Sequence, residues 1–242
     1  MIRQVARVAA WLGGGAIALA GLYWVFLSTP EDSPVMLAAS AVLVALMAVT
    51  SGFATNVAVL LSLGEPLRSS LRSGIRLLHW FFFAAVPVVA IGWALGRADD
   101  WVAGHAGEIS AWFIATFDRA DVTALFTAQR YLSLWLRVVV VPAAALAALA
   151  ALLRSSDIEA ALGAGVSAWR WRTLLLLTVA FVVSSQVITN FAYVTGQVRR
   201  LPPTWVQPVV AAVSLAMAAG VLIGLAALMI VAAARSRAKQ PV

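Results

Sequence analysis

Cysteine is absent from the 242 residues. That excludes disulfides, thiolate catalysis, iron–sulfur clusters and cysteine-based zinc sites. Histidine occurs twice, as His79 and His105, in unrelated contexts. This argues against bis-histidine haem ligation, and no cofactor is expected. Charge is scarce as well. Asp, Glu, Lys and Arg make up 11% of the chain, against roughly 25% in soluble domains. The remainder is 63% apolar with a mean hydropathy of +0.95. A soluble fold of this size could not hide that much apolar surface, so lipid must be the solvent for much of the chain.

Motifs for membrane chemistry are missing too. There is no HExxH, no pair of intramembrane aspartates and no GxxxxGK[ST]. Ser51-Gly52 has no histidine inside a later apolar run. Intramembrane proteolysis and ATP-driven work therefore lack their residues. No Asp or Glu sits well inside an apolar run, which argues against a carrier coupled through a buried carboxylate. The expectation is a protein that is not an enzyme. The weaker enzymatic alternative is lipid modification, with His105 and Glu108 as acid and base at i, i+3; the flanking Gly104 and Gly107 speak against a helix there.

What is present is six apolar stretches, each near or above the ~20 residues that span a bilayer. They run approximately over Val5–Leu27, Pro34–Leu61, Leu77–Leu95, Leu132–Leu153, Thr173–Tyr193 and Val206–Ala234. The first follows Arg3 and Arg7 without a small-x-small cleavage site, and reads as a retained crossing. The class is thus all-α: a polytopic membrane protein with six transmembrane helices in one integral membrane domain, 1–242. Pro87 and Pro142 should kink their helices.

The net charge of +7 reads as a topology signal and not as a nucleic-acid footprint. With a cytoplasmic N-terminus, Arg3, Arg7, Arg68, Arg72, Arg76, Arg154, Arg170, Arg172, Arg235, Arg237 and Lys239 lie inside. Only Arg97, Arg119, Arg130, Arg199 and Arg200 lie outside, with Arg137 set aside near the outer end of the fourth crossing. Both termini are therefore expected in the cytoplasm. The acids run the other way: Glu31, Asp32, Asp99, Asp100, Glu108, Asp118 and Asp121 outside, Glu65, Asp157 and Glu159 inside. Arg137 should snorkel outward or pair with the outer acids. An Ala-, Arg- and Val-rich usage with one lysine points to a GC-rich bacterium, and so to its inner membrane.

Two segments before crossings resemble each other at an offset of 91. Residues 66–80, "PLRSSLRSGIRLLHW", and 157–171, "DIEAALGAGVSAWRW", share Leu71/Leu162, Gly74/Gly165 and Trp80/Trp171. Both read as interfacial amphipathic helices. Leu67, Leu71, Ile75 and Leu78 form the first stripe, flanked by Arg68, Arg72 and Arg76. Ile158, Ala161, Leu162, Gly165, Val166 and Trp169 form the second. Pro66 suits a first helical position, and Ser156-x-x-Glu159 reads as a capping box. Trp80, Trp169 and Trp171 suit the headgroup region, with Arg170 and Arg172 on phosphate. Anionic headgroups on the inner face are the expected lipid partners. The alternative for these helices is docking on a cytoplasmic partner. Equal orientation would make the duplication a parallel repeat, with halves 1–96 and 97–234.

This layout, carried by "DIEAALGAGVSAWRWRTLLLL" and echoed in "LRSGIRLLHWFFF", resembles poorly characterised bacterial polytopic proteins. The membrane region fused to some glycerophosphodiesterases is one of them. The resemblance implies a membrane fold and brings no catalytic residues.

The remaining candidates are polar or small. The outer segment 96–130 holds Ile109, Trp112, Phe113 and Phe117 on one face and reads as a loop with an interfacial cap. Ser51, Thr55 and Asn56 on the second crossing, with Gln186, Asn190 and Tyr193 on the fifth, either line a polar cavity or tie helices together. Ala212, Ala216, Gly220 and Gly224 on the sixth crossing, and Gly13 to Gly15 with Gly21 on the first, read as close-packing faces for this chain or another subunit. The functional expectation is an accessory or structural subunit of a membrane assembly, joined to other membrane subunits or to copies of itself. The alternative is a permease or lipid-handling subunit served by a separate ATPase, with transport through that polar cavity.

Overall fold

A computed structural model describes residues 1–30, 32–117, 121–198 and 206–235. The expected Glu31, Asp118, Arg119, Arg199, Arg200, Arg237 and Lys239 charges lie outside them. The described residues are helical throughout, with no strand. The helices are α1 (Ile2–Ser28), α2 (Pro34–Ser62), α3 (Leu67–Arg76), α4 (Leu78–Gly104), α5 (Ala106–Thr116), α6 (Val122–Trp135), α7 (Val141–Ser155), α8 (Ile158–Ser167), α9 (Trp171–Val198) and α10 (Val206–Arg235). A π-helical turn, Leu136–Val140, joins α6 to α7. The two form one continuous span, Val122–Ser155. Six helices are long and apolar enough to cross a membrane, at the six expected places.

The expected outer loop 96–130 is a correction. α4 runs on to Gly104 and the fourth span starts at Val122, with α5 between them. Backbone that leaves the bilayer core keeps its internal hydrogen bonds by staying helical, and the short connections need only a few residues. Gly104 and Gly107 do not prevent this: Ile109 N–H bonds the His105 carbonyl across the junction at 3.0 Å.

Local signals explain the ends. Ser33 caps α2 by accepting from Met36 N–H at 3.3 Å, with Pro34 at the first helical position. Pro142 has no N–H and would clash with the carbonyl four residues back. The π turn absorbs this, with Val141 N–H reaching the Leu136 carbonyl. The capping assignment moves by one residue: Asp157, not Ser156, caps α8, accepting from Glu159 N–H at 3.0 Å. Ser156 instead ends α7 in the left-handed region at φ 53°. Pro66 likewise precedes α3 as its cap residue and is not its first helical residue.

The core lies toward one end of the bundle. Val8 of α1, Val57 to Leu61 of α2, Ala84 of α4, Leu149 and Ala150 of α7 and Ile230 and Val231 of α10 are buried together there. Arg235 donates to the Gln4 side chain, which puts the start of α1 beside the end of α10. Trp80 packs against the cluster that Ala151 and Leu152 of α7 form with Ala161 and Ala164 of α8, near the start of α4. This is the basic end of the molecule. Toward the opposite, acidic end the spans loosen: Trp24, Val35, Val183 and Leu215 are all exposed.

The two hairpins α2–α3–α4 and α7–α8–α9 are built alike. The bounds of α3 and α8 coincide at the offset of 91. A Cβ on Gly74 would meet Val57 and Phe53; one on Gly165 would meet Ala148 and Ala144, the equivalent residues. Both hairpins run from the acidic end to the basic end and back, the orientation that a parallel repeat requires. It covers the hairpins and not the halves 1–96 and 97–234, because α1 has no counterpart at that offset. Most of each apolar stripe lies on the outside, with Leu71 and Ala161 turned inward. Small residues face the protein: Ser70 and Gly74 in α3, Ala161 and Ala164 in α8. Leu67, Ile75, Ile158, Leu162 and Val166 are exposed. In lipid, large apolar side chains gain nothing by turning inward, and small ones let backbones approach.

Candidate functional site

The structure does not gather the expected polar cavity. Asn56 is fully buried near the basic end of α2. Its amide donates to the carbonyls of Gly74 at 3.2 Å and Leu77 at 3.1 Å, where α3 ends. The Gly74 carbonyl is one of the orphans that a helix leaves at its C-terminus, while that of Leu77 also accepts from Trp80 N–H at 3.1 Å. Asn56 thus fastens the first hairpin. Ser51 is half-buried beside it in sequence, and Thr55 lines an apolar crevice of about 240 Å³ with Phe81, Ala84, Val88, Leu146 and Leu149.

Gln186, Asn190 and Tyr193 are exposed on α9, which packs on α10 and on the π turn. From Trp171, Gln186 lies about 22 Å and Asn190 about 28 Å along the helix axis at 1.5 Å per residue. Both therefore fall toward the acidic end of the span, turned away from the bundle. Neither makes a side-chain hydrogen bond among the described residues. Ser185, by contrast, returns its hydroxyl to the Val182 carbonyl at 2.8 Å.

The small-residue ladder of α10 is open as well. Ala212, Ala216 and Gly220 are exposed and Gly224 is half-buried. A Cβ on Gly220 or Gly224 would meet nothing within 4 Å. The internal close-packing reading therefore fails for this face. On α1 only Gly15 packs closely, with a Cβ there 3.1 Å from that of Ala54. The neighbouring Trp11 indole N–H donates to the Ala54 carbonyl at 2.9 Å.

A polar network sits at the acidic end. Asp99 on α4 accepts from Gln129 at 2.6 Å, Ser133 at 2.8 Å and Arg137 at 2.5 Å. Arg137 and Asp99 form an ion pair, each about a third exposed, so the outer-acid pairing expected for Arg137 is the one observed. Asp99 as the hub is not evident from its own surroundings in the sequence. The spacing of Gln129, Ser133 and Arg137 at i, i+4, i+8 is the signal that would have found it. Its geometry is that of a clasp between α4 and α6, with the carboxylate saturated by donors. His105 stacks on Trp101 at 4.6 Å, and its Nδ1 lies 2.9 Å from the Trp101 carbonyl. Glu108 is exposed in the first turn of α5.

At the basic end, Arg68, Arg72 and Arg76 form one face of α3 with Ser69 and Ser73. Trp80 is half-buried against α8. Trp169 and Arg170 are exposed in the turn before α9. Trp171 and Arg172 open that helix, with the Arg172 guanidinium 5.5 Å above the Trp171 ring.

No family model, curated protein or solved structure matches this chain.

Proposed function

We propose that the chain is a non-enzymatic accessory subunit of a bacterial inner-membrane assembly, embedded with its basic end and both termini in the cytoplasm. The observation that carries the reading is the outward amide of Gln186 within a membrane-crossing helix, with no hydrogen bond among the described residues, and that of Asn190 at the outer end of the same span. Polar side chains facing hydrocarbon are costly, and their usual relief is a hydrogen bond to another helix. The open ladder of Ala212, Ala216 and Gly220 supports the same reading, since small residues let a second helix approach closely. By contrast, the Asn56 amide N–H and the Asp99 carboxylate are engaged within the chain.

Photo-crosslinking from position 186 or 220 in native membranes tests this. Crosslinks to a membrane protein, or to a second copy, are expected. Crosslinks to lipid alone at both positions would sink it. The orientation has its own check: reporter fusions at Ser73 and Ser167 should report cytoplasm, and a fusion at Asp99 the opposite side.

A second reading, a lipid-handling permease subunit served by a separate ATPase, draws on the apolar crevice between the two hairpins. Apart from Thr55 its lining is apolar, which suits an acyl chain better than a polar solute. Lipid flipping by the purified chain in vesicles would favour this reading over the first.

A further inference from the structure

α9 begins where α10 ends, and a cleft of about 560 Å³ opens between them. Arg170, Arg172 and Arg235 stand at its rim, and Trp171, Leu176 and Ala232 form its wall. Thr173 adds a hydroxyl. Among the described residues none of the three arginines meets a carboxylate; the one ion pair found there is Arg137–Asp99. Arg235 is held in place by Gln4 of α1, and Arg172 by its stacking on Trp171. The residue before α9 is Arg170, which offers no side-chain acceptor, and the Trp171 and Arg172 backbone N–H groups have no backbone acceptor. Three guanidinium groups, two of them held in place, a hydroxyl and the open donors of a 28-residue helix line one cleft.

The wall decides what kind of anion belongs there. Leu176 lies five residues deeper than Trp171, about 7.5 Å along α9, so the cleft passes from charge to hydrocarbon within one molecule's length. The arginine face of α3 is the contrast: its groove is lined by Arg68, Ser69, Arg72, Ser73 and Arg76 of that one helix, with no apolar residue among them. We propose that the α9–α10 cleft is a discrete binding site for an anionic phospholipid, its phosphate on Arg170, Arg172 and Arg235 and its glycerol and first methylenes along Trp171, Leu176 and Ala232. The α3 face attracts headgroups only as a charged surface. This goes beyond the accessory-subunit reading and does not depend on it.

The test uses the full chain, purified in mild detergent and titrated with phosphatidylglycerol or phosphatidylcholine under native mass spectrometry. The expected result is one retained phosphatidylglycerol per chain. The triple variant R170Q/R172Q/R235Q should weaken it by about tenfold or more. R68Q/R72Q/R76Q removes the same charge from α3 and should change retention less than about twofold. If the first variant is not recovered folded, R235Q alone should still lower retention by about threefold. Equal losses in the two triple variants would overturn the site in favour of diffuse attraction. Displacement of the lipid by millimolar inorganic phosphate would overturn it in favour of a free anion.

Discussion

The helices Leu67–Arg76 and Ile158–Ser167 start and stop at equivalent positions, yet almost none of their polar chemistry is shared. Where α3 has Arg68, Arg72 and Arg76, α8 has Glu159, Gly163 and Ser167. Where α2 uses the Asn56 amide to hold the end of α3, α7 has the buried methyl of Ala147. Where Asp157 caps α8 with its carboxylate, Pro66 offers α3 no side-chain cap. What persists is volume: small residues at Ser70/Ala161 and Gly74/Gly165 against the preceding crossing, large apolar ones at Leu67/Ile158 and Ile75/Val166 away from it. In a bilayer the packing seam is the conserved quantity of such a hairpin, because only close approach rewards helix contact there. The charges are free to move, and in the second hairpin they stand after the helix, at Arg170 and Arg172.

The contrast can be broken at its tightest point. A Cβ on Gly74 would sit 2.6 Å from a methyl of Val57, a fully buried residue. Gly74→Ala should destabilise the protein by about 2–3 kcal/mol through overpacking, read as a lower Tm in detergent. Gly165→Ala meets its nearest atom at 3.5 Å and should stay within about 0.5 kcal/mol. Equal losses would mean that the two seams are equally tight. Next in size is Asn56→Leu, which strands the Gly74 carbonyl at the end of α3 and leaves that of Leu77 with the Trp80 N–H alone, at a cost of about 1–3 kcal/mol. Faster amide exchange should appear over α3 and the start of α4 and leave α8 unchanged. Smallest is the cap: Asp157→Ala should cost about 1 kcal/mol, and Pro66→Ala well under half of that. A larger effect at Pro66 would show that the first helix is held by its entry and not by Asn56.

Hydropathy alone located all six spans, because a run of twenty apolar residues has few other uses. The paired Gly and Trp positions located the repeat. The small residues that face the protein, Ser70 and Ala164 among them, were not legible as a seam, because close approach depends on the neighbouring helix and not on hydropathy. The extent of α4 and α6 was misread because hydropathy marks the bilayer and not the helix, which continues past it through Arg97, Asp99 and Gln129. The polar residues of α2 and α9 look equivalent in sequence. Only the packing separates Asn56, bonded to two carbonyls, from Gln186 and Asn190, which bond none among the described residues.

The π turn at Leu136–Val140 has a consequence for how substitutions along the fourth crossing should be interpreted. A helical wheel assumes a constant 100° per residue. The extra residue in this turn breaks that count once, so a wheel drawn through Val122–Ser155 assigns faces wrongly by about 100° on one side of it. Gln129, Ser133 and Arg137 belong to one phase and face Asp99; Ala143, Ala147 and Ala150 belong to another and face the core. The crossing carries two independent amphipathic codes on a single rod, and a substitution profile from one half cannot be extrapolated to the other.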